Sequence, residues 1–252
     1  TTIGYHKKLK LTKSAEKKHK LLEAKVLHTA DKIIVTSSTT KKEFENITGQ
    51  PIKVITNGFD GELLTDDGLD SKFTISHIGS LLSGRNPVKF WSVLAQMVDE
   101  FPAFKEALRL RFIGVVSDEI LSTIKEVGLQ DFIEVIGYVS HQEALVYQRK
   151  SQVLLLVEID SQETIGIIPG KLFEYMAAKR PILGIGPKNW DVENIVEETK
   201  TGYIFEHSDD IELKNVILRW FENYQKGQLN IIADNIEQFS RRELTRKLAE
   251  YI

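Results

Sequence analysis

Cysteine is absent from the 252 residues, which removes disulfides, thiolate chemistry and cysteine-ligated metals in one step. That absence fits a reducing cytoplasm. No apolar run approaches the roughly 18 residues needed to span a bilayer, and the N-terminus has no signal-like apolar core, so the chain reads as soluble. A surplus of one charge is missing as well: Lys plus Arg number 33 against 36 for Asp plus Glu. With no global field to draw in a polyanion, no nucleic-acid partner is expected. No cluster of His, Asp and Glu has metal-ligand spacing. The GxGxxG dinucleotide fingerprint does not follow the first strand of the long strand-and-helix series described below.

The length allows one large or two ordinary domains and ample core. The chain opens without methionine inside a lysine-rich segment, and is expected to be a piece of a longer protein. Between Thr1 and Lys25 eight lysines face only Glu16 and Glu23. From Ser14 onward Ala15, Leu22, Val26 and Ala30 recur at helical spacing, predicting an amphipathic helix with a basic outer face. Such a face is either simply solvated or a peripheral contact with anionic membrane headgroups.

Lys32–Thr36 and Pro51–Ile55 read as short strands. Between them, Thr40 and Glu43 suggest a capping box for a helix through Asn46. Asn57-Gly58-Phe59-Asp60 follows as a turn. From Lys72 a regular series begins: strand Phe73–Ile78, a glycine-bearing loop from Gly79 to Pro87, and an amphipathic helix Val88–Phe101. Leu108–Ile113 is the next strand, followed by a helix headed by Ser117, Asp118 and Glu119. Strand Phe132–Ile136 runs into Gly137-Tyr138-Val139, and Ser140 with Glu143 forms a second capping box, for a helix to Arg149. Helix Asp191–Glu198, strand Tyr203–Phe205 and two closing helices, Asp210–Gln225 and Ala233–Tyr251, complete the chain. The pattern predicts an α/β architecture, a Rossmann-like doubly wound parallel sheet of about six strands over residues 72–206. Residues 1–58 supply too few elements for a second such sheet.

The organising stretch is Val153–Gly184, VLLLVEIDSQETIGIIPGKLFEYMAAKRPILG. Val153–Val157 is apolar throughout, as in a parallel strand buried on both faces. Pro169 and Gly170 open a helix filled by Lys171–Ala178, and Lys179, Arg180 and Pro181 close it before strand Ile182–Ile185. The unit predicts a helix N-terminus at the carboxyl end of the sheet, a place for an anion. Glu174 lies one turn inside, where a carboxylate can reach a neighbouring diol. A phosphate beside a diol suggests a nucleotide with its ribose.

Pro169-Gly170-Lys171-Leu172-Phe173-Glu174-Tyr175-Met176-Ala177 resembles the donor-binding signature of retaining nucleotide-sugar glycosyltransferases of the GT-B fold. The loop Gly84-Arg85-Asn86-Pro87 and the motif order along the rest of the chain are also similar to that family. Its pattern of two glutamates spaced by seven residues is only half kept, because Gly166 stands where the first would be and Glu163 sits upstream.

The resemblance implies a GT-B enzyme transferring a sugar, with retention, from a nucleoside-diphosphate-sugar donor to the hydroxyl of a glycan or lipid-linked acceptor, with no metal or other cofactor required. Residues 1–58 would be the end of an N-terminal acceptor domain, and residues 59–252 the donor domain with its closing helices. Arg85 and Lys171 would stabilise the departing diphosphate. Lys171 is preferred to Lys89 for this role. Gly79, Ser80 and Gly170 would approach the phosphates, Leu172 would sit in the same helix start, and Glu174 would accept from the ribose hydroxyls. Tyr138 and Val139 would meet the base, and Glu163, Thr164, Ile165 and Gly166 would line the sugar pocket. His77 and His141 are not expected to act as catalytic bases. The piece alone is expected to bind donor weakly and turn over nothing. A nucleotide-sugar epimerase of the same fold and a noncatalytic nucleotide-binding scaffold remain as alternatives.

Overall fold

The computed structural model describes residues 11–60 and 68–252; Lys7, Lys8 and Lys10 of the basic segment lie outside them. Helix α1 (Lys13–Thr29) leads to a two-stranded parallel sheet, β1 (Ile33–Val35) and β2 (Ile52–Val54), joined through α2 (Ser38–Glu45). The main body is a six-stranded parallel sheet: β3 (Phe73–Ile78), β4 (Leu108–Ile113), β5 (Ile133–Gly137), β6 (Val153–Val157), β7 (Ile182–Gly186) and β8 (Gly202–Glu206). Their order is β5-β4-β3-β6-β7-β8, every neighbouring pair parallel. The Rossmann-like sheet expected from the apolar runs is therefore present.

Alternation along the strands builds the two cores. Val153, Leu155 and Val157 face a layer with Phe73, Trp91, Phe112 and Phe221, whereas Leu154 and Leu156 face Leu172, Phe173, Tyr175 and Trp190. All of β3 and all of β6 are buried; β6 accordingly reads as a continuous apolar run, whereas β3 carries Thr74, Ser76 and His77 into the interior. The connecting helices are α3 (Val88–Glu100), α4 (Pro102–Ala107), α5 (Asp118–Glu126), α6 (His141–Lys150), α7 (Lys171–Ala177), α8 (Asp191–Thr199), α9 (Ile211–Gln225) and α10 (Arg241–Tyr251).

Several local expectations shift. Helix α2 starts earlier than Thr40: Ser37 is its N-cap and accepts from the Thr40 amide, so no Thr40/Glu43 capping box forms. Ser140 and Glu143 do form theirs. Ser117 occupies an N-cap position, but its buried hydroxyl has no partner. On α1 the face picked out by apolar spacing is not the buried one: Leu22 and Val26 are exposed with Leu21, and Leu27 alone is buried on this helix. The last closing helix is shorter than the pattern suggests, because a 3-10 turn at Ile236–Phe239 precedes it.

Two connections tie the small sheet to the large one. The Phe59 amide donates to the Phe239 carbonyl and Arg241 N–H donates to Phe59 O, so the turn after β2 runs beside the segment leading into α10. That helix then returns to the small sheet, where the Tyr251 hydroxyl donates to Pro51 O at 2.8 Å. In the second connection Asp191, first residue of α8, accepts from the amide of Thr39 at 2.8 Å and from its hydroxyl at 2.9 Å. Among the described residues no helix is long and apolar enough to cross a membrane.

Candidate functional site

In a parallel sheet the connections leave in opposite directions where the strand order reverses, and a crevice opens beyond the carboxyl ends there. Here that point lies between β3 and β6. The loop after β3 carries Gly79 and Arg85, and the loop after β6 leads to Lys171. The strand order of the sheet therefore brings these segments to one crevice.

Gly79 has φ of +108°, the left-handed side that glycine reaches without strain. Its amide donates to Ile113 O, and the Gly114 amide donates in turn to Gly137 O, which draws the loops after β3, β4 and β5 together. Without a side chain, Gly79 leaves room for Lys171, whose Nζ would lie 2.9 Å from a Cβ built there. Tyr175, one turn further along α7, fixes that approach: the amide of Ile78 donates to its hydroxyl at 3.0 Å.

Lys171 Nζ also donates to Nε2 of His77 at 3.2 Å, while the other ring nitrogen, Nδ1, faces Leu155 O at 3.0 Å. His77 is buried, and burial holds its pKa well below the ordinary value, with the Lys171 charge adding to the effect. It is therefore neutral, donating from Nδ1 and accepting at Nε2. Burial likewise lowers Lys171 to about 8, with the Arg85 charge next in size and Glu158 and Glu174 opposing both. The ammonium is thus poorly solvated and short of negative charge.

Arg85 ends a 3-10 turn and donates through Nε to Glu158 Oε1 at 3.2 Å and through Nη2 to Oε2 at 3.3 Å. Glu158 directly follows β6 and is fully buried. The one signal that could have marked it in sequence is a charge placed at the very end of an all-apolar strand. Lys89, by contrast, forms a surface pair with Asp210 at 3.2 Å.

Glu174 is held from α6. One oxygen lies 3.1 Å from His141 Nε2 and the other accepts from Gln148 Nε2 at 3.0 Å. It borders a pocket of about 130 Å³ that extends towards Phe59, Asp60 and Arg241, and neither Lys171 nor Arg85 lines it. Tyr138 stands in the loop after β5 and is 82% exposed, so it fills no core; Val139 packs partly into the apolar layer beneath. Ser80 is exposed and Gly170 lies open at the start of α7.

Other sequence-derived placements change. Leu172 is wholly buried in the core, so its side chain cannot meet a ligand. The amides of Leu172 and Phe173 donate to Pro169 O and Gly170 O, and α7 has only seven residues. The positive character of this crevice thus rests on the Lys171 and Arg85 side chains rather than on the helix start. Thr164 is buried, and its hydroxyl bridges Ile159 O and Ser161 O, which staples its own loop. Ile165 O accepts from the Asp191 amide, and Glu163 is half-buried beside them. Gly166 is packed against α2, where an added Cβ would lie 3.0 Å from Ser37 Oγ and 3.1 Å from Thr39 Cβ. A glutamate does not fit there without moving that contact.

Residues 73–223, more than half of the chain, match the family described as glycosyl transferases group 1. The chain belongs to that family. Solved structures of GT-B glycosyltransferases share its fold. Sucrose-phosphate synthase from Thermosynechococcus elongatus superposes with a TM-score of 0.67 at 17% identity, over 99% of this chain and 65% of that one. Anabaena Alr3699/HepE, solved with UDP-glucose, gives 0.67 at 19%, over 90% of this chain and 64% of that one. A mutant of S. aureus TarM, solved with Fondaparinux, alpha-GlcNAc-glycerol and UDP, gives 0.66 at 17%, over 96% and 48%. At these identities the likeness is one of fold. The chain spans between about half and two thirds of those structures. No curated protein sequence matches it significantly.

Proposed function

We propose that this chain holds the nucleoside-diphosphate part of a sugar donor, and that the glycosyltransferase to which it contributes passes the sugar to an acceptor hydroxyl with retention. One observation carries the reading: at the sheet's switch point Lys171 lies against the side-chain-free Gly79, and Arg85, from the loop after β3, is near enough for its charge to act on Lys171. Two cations in a poorly hydrated crevice are suited to neutralise charge that grows on a departing diphosphate, the electrostatic part of such a transfer. Arg offers a planar fork to phosphate oxygens and Lys a point charge.

Glu174 would accept from the ribose hydroxyls, with ribose displacing the exposed His141 from one carboxylate oxygen. Tyr138 would stack on the base. Residues 1–58 would belong to the acceptor side, and the chain alone would bind donor without turnover. Neighbours solved with UDP or UDP-glucose make a uridine nucleotide the first probe. Ligand that binds only the folded state raises apparent stability by mass action. Melting in the presence of UDP, GDP and ADP should therefore show a nucleotide-dependent rise that Arg85→Ala removes. No rise with any of the three would favour a scaffold.

A further inference from the structure

Burying a carboxylate costs free energy that an ion pair does not reliably repay, so a buried pair is weak evidence for a purely stabilising role. Glu158 is such a carboxylate, and it is pinned independently of Arg85. Its amide donates to Ile185 O, its carbonyl accepts from His207 Nε2 at 2.8 Å, and its Oε1 accepts from the Ile159 amide at 2.9 Å. Arg85 is the freer partner, on a short turn with its side chain 26% exposed against 1% for Glu158. The contact uses one edge of the guanidinium, Nε and Nη2. A guanidinium has five N–H groups in a rigid fork, so three remain, including both on Nη1.

We infer that Glu158 is a positioning residue for the diphosphate site, holding one edge of Arg85 so that the other edge is presented to phosphate oxygens beside Lys171. The inference rests on the donor-binding reading above. Because Glu158 touches only the rear edge of the fork, it does not compete for the N–H groups that would meet the ligand. It removes the rotamer freedom that a long arginine would otherwise lose on binding.

The test is a double-mutant cycle on the 252-residue chain, with UDP affinity measured by calorimetry and folding checked by melting without ligand. Glu158→Gln keeps the shape and removes the charge, and should weaken UDP binding roughly tenfold, the scale of coupling between contacting residues. Arg85→Lys keeps the charge and removes the fork. In that background Glu158→Gln should cost less than about twofold, since there is no edge left to aim. A merely structural role for Glu158 would instead give the same loss in both backgrounds. That result, or unchanged or tighter binding in Glu158→Gln alone, overturns the inference. If Arg85→Lys weakens binding and Glu158→Gln does not, only the positioning role falls. If the unaltered chain binds no UDP, the donor site falls and the inference with it.

Discussion

The Lys171 ammonium occupies the space in front of Gly79 where any other residue would carry its Cβ, 2.9 Å from that point. This contact between the loop after β3 and the start of α7 makes one site out of two separate segments. Replacing Gly79 by alanine acts on it twice. The φ of +108° strains an L-residue, for about 1–3 kcal/mol of stability. The new methyl group also pushes away the flexible end of Lys171. Gly79→Ala should lower the melting temperature and weaken UDP binding, and the binding loss should persist under conditions where the variant is fully folded.

Lys171 should make nucleotide binding depend on pH in an unusual window. Its pKa is lowered by burial from the ordinary 10.5 to about 8. Below about pH 8 it is charged in both folded and unfolded chains. Between about 8 and 10.5 the folded chain has shed a proton that the unfolded chain keeps, so this group's contribution to stability rises with pH across that window. Binding moves the opposite way, because a diphosphate needs the ammonium. UDP affinity should fall as pH passes 8, and binding just above that pH should take up a proton. Calorimetry in two buffers of different ionisation enthalpy checks the uptake, which Lys171→Met should abolish.

Glu174 should account for recognition of the ribose. Its two oxygens are already aligned by His141 and Gln148. If it accepts from the diol, UDP should bind more tightly than 2′-deoxy-UDP by roughly tenfold, the worth of one hydrogen bond to a charged group. Glu174→Ala should erase the difference. Equal affinity for the two nucleotides in the unaltered chain would remove Glu174 from the site.

The arrangement of the large sheet was legible because its strands are short, rich in apolar residues and separated by helical segments: Phe73–Ile78 and Leu108–Ile113 end in the structure where the sequence places them. The site was legible in part. Gly79, Arg85 and Lys171 announce themselves by position after strands; Glu158 is marked only as a charge at the end of an apolar strand, and nothing in a linear chain says that its partner lies at position 85. Burial misled the reading of α1, where the face that looks like a core face in sequence, with Leu22 and Val26, is exposed. The start of α2 slipped because Ser37, Ser38, Thr39 and Thr40 are all able to cap, and only the fold selects Ser37. The missing glutamate at Gly166 has a steric reason that only the packing of α2 shows.

That packing yields a prediction about the link between the two sheets. Asp191 receives both the amide and the hydroxyl of Thr39 and stands at the start of α8, so its charge meets two helix N-termini. Asp191→Ala should cost about 1–2 kcal/mol, comparable to losing a helix cap. Amide exchange should quicken at residues 38–45 while β3 and β6 stay protected. Uniform acceleration across the chain would mean that the contact is not a local latch.

The central claim is that a diphosphate rests between Lys171 and Arg85, and a crystal structure of the chain grown with UDP tests it most directly. The account predicts phosphate oxygens within hydrogen-bonding distance of Lys171 Nζ and of the free edge of Arg85, in front of Gly79. A nucleotide seated elsewhere, with Lys171 still bonded only to His77, would contradict it.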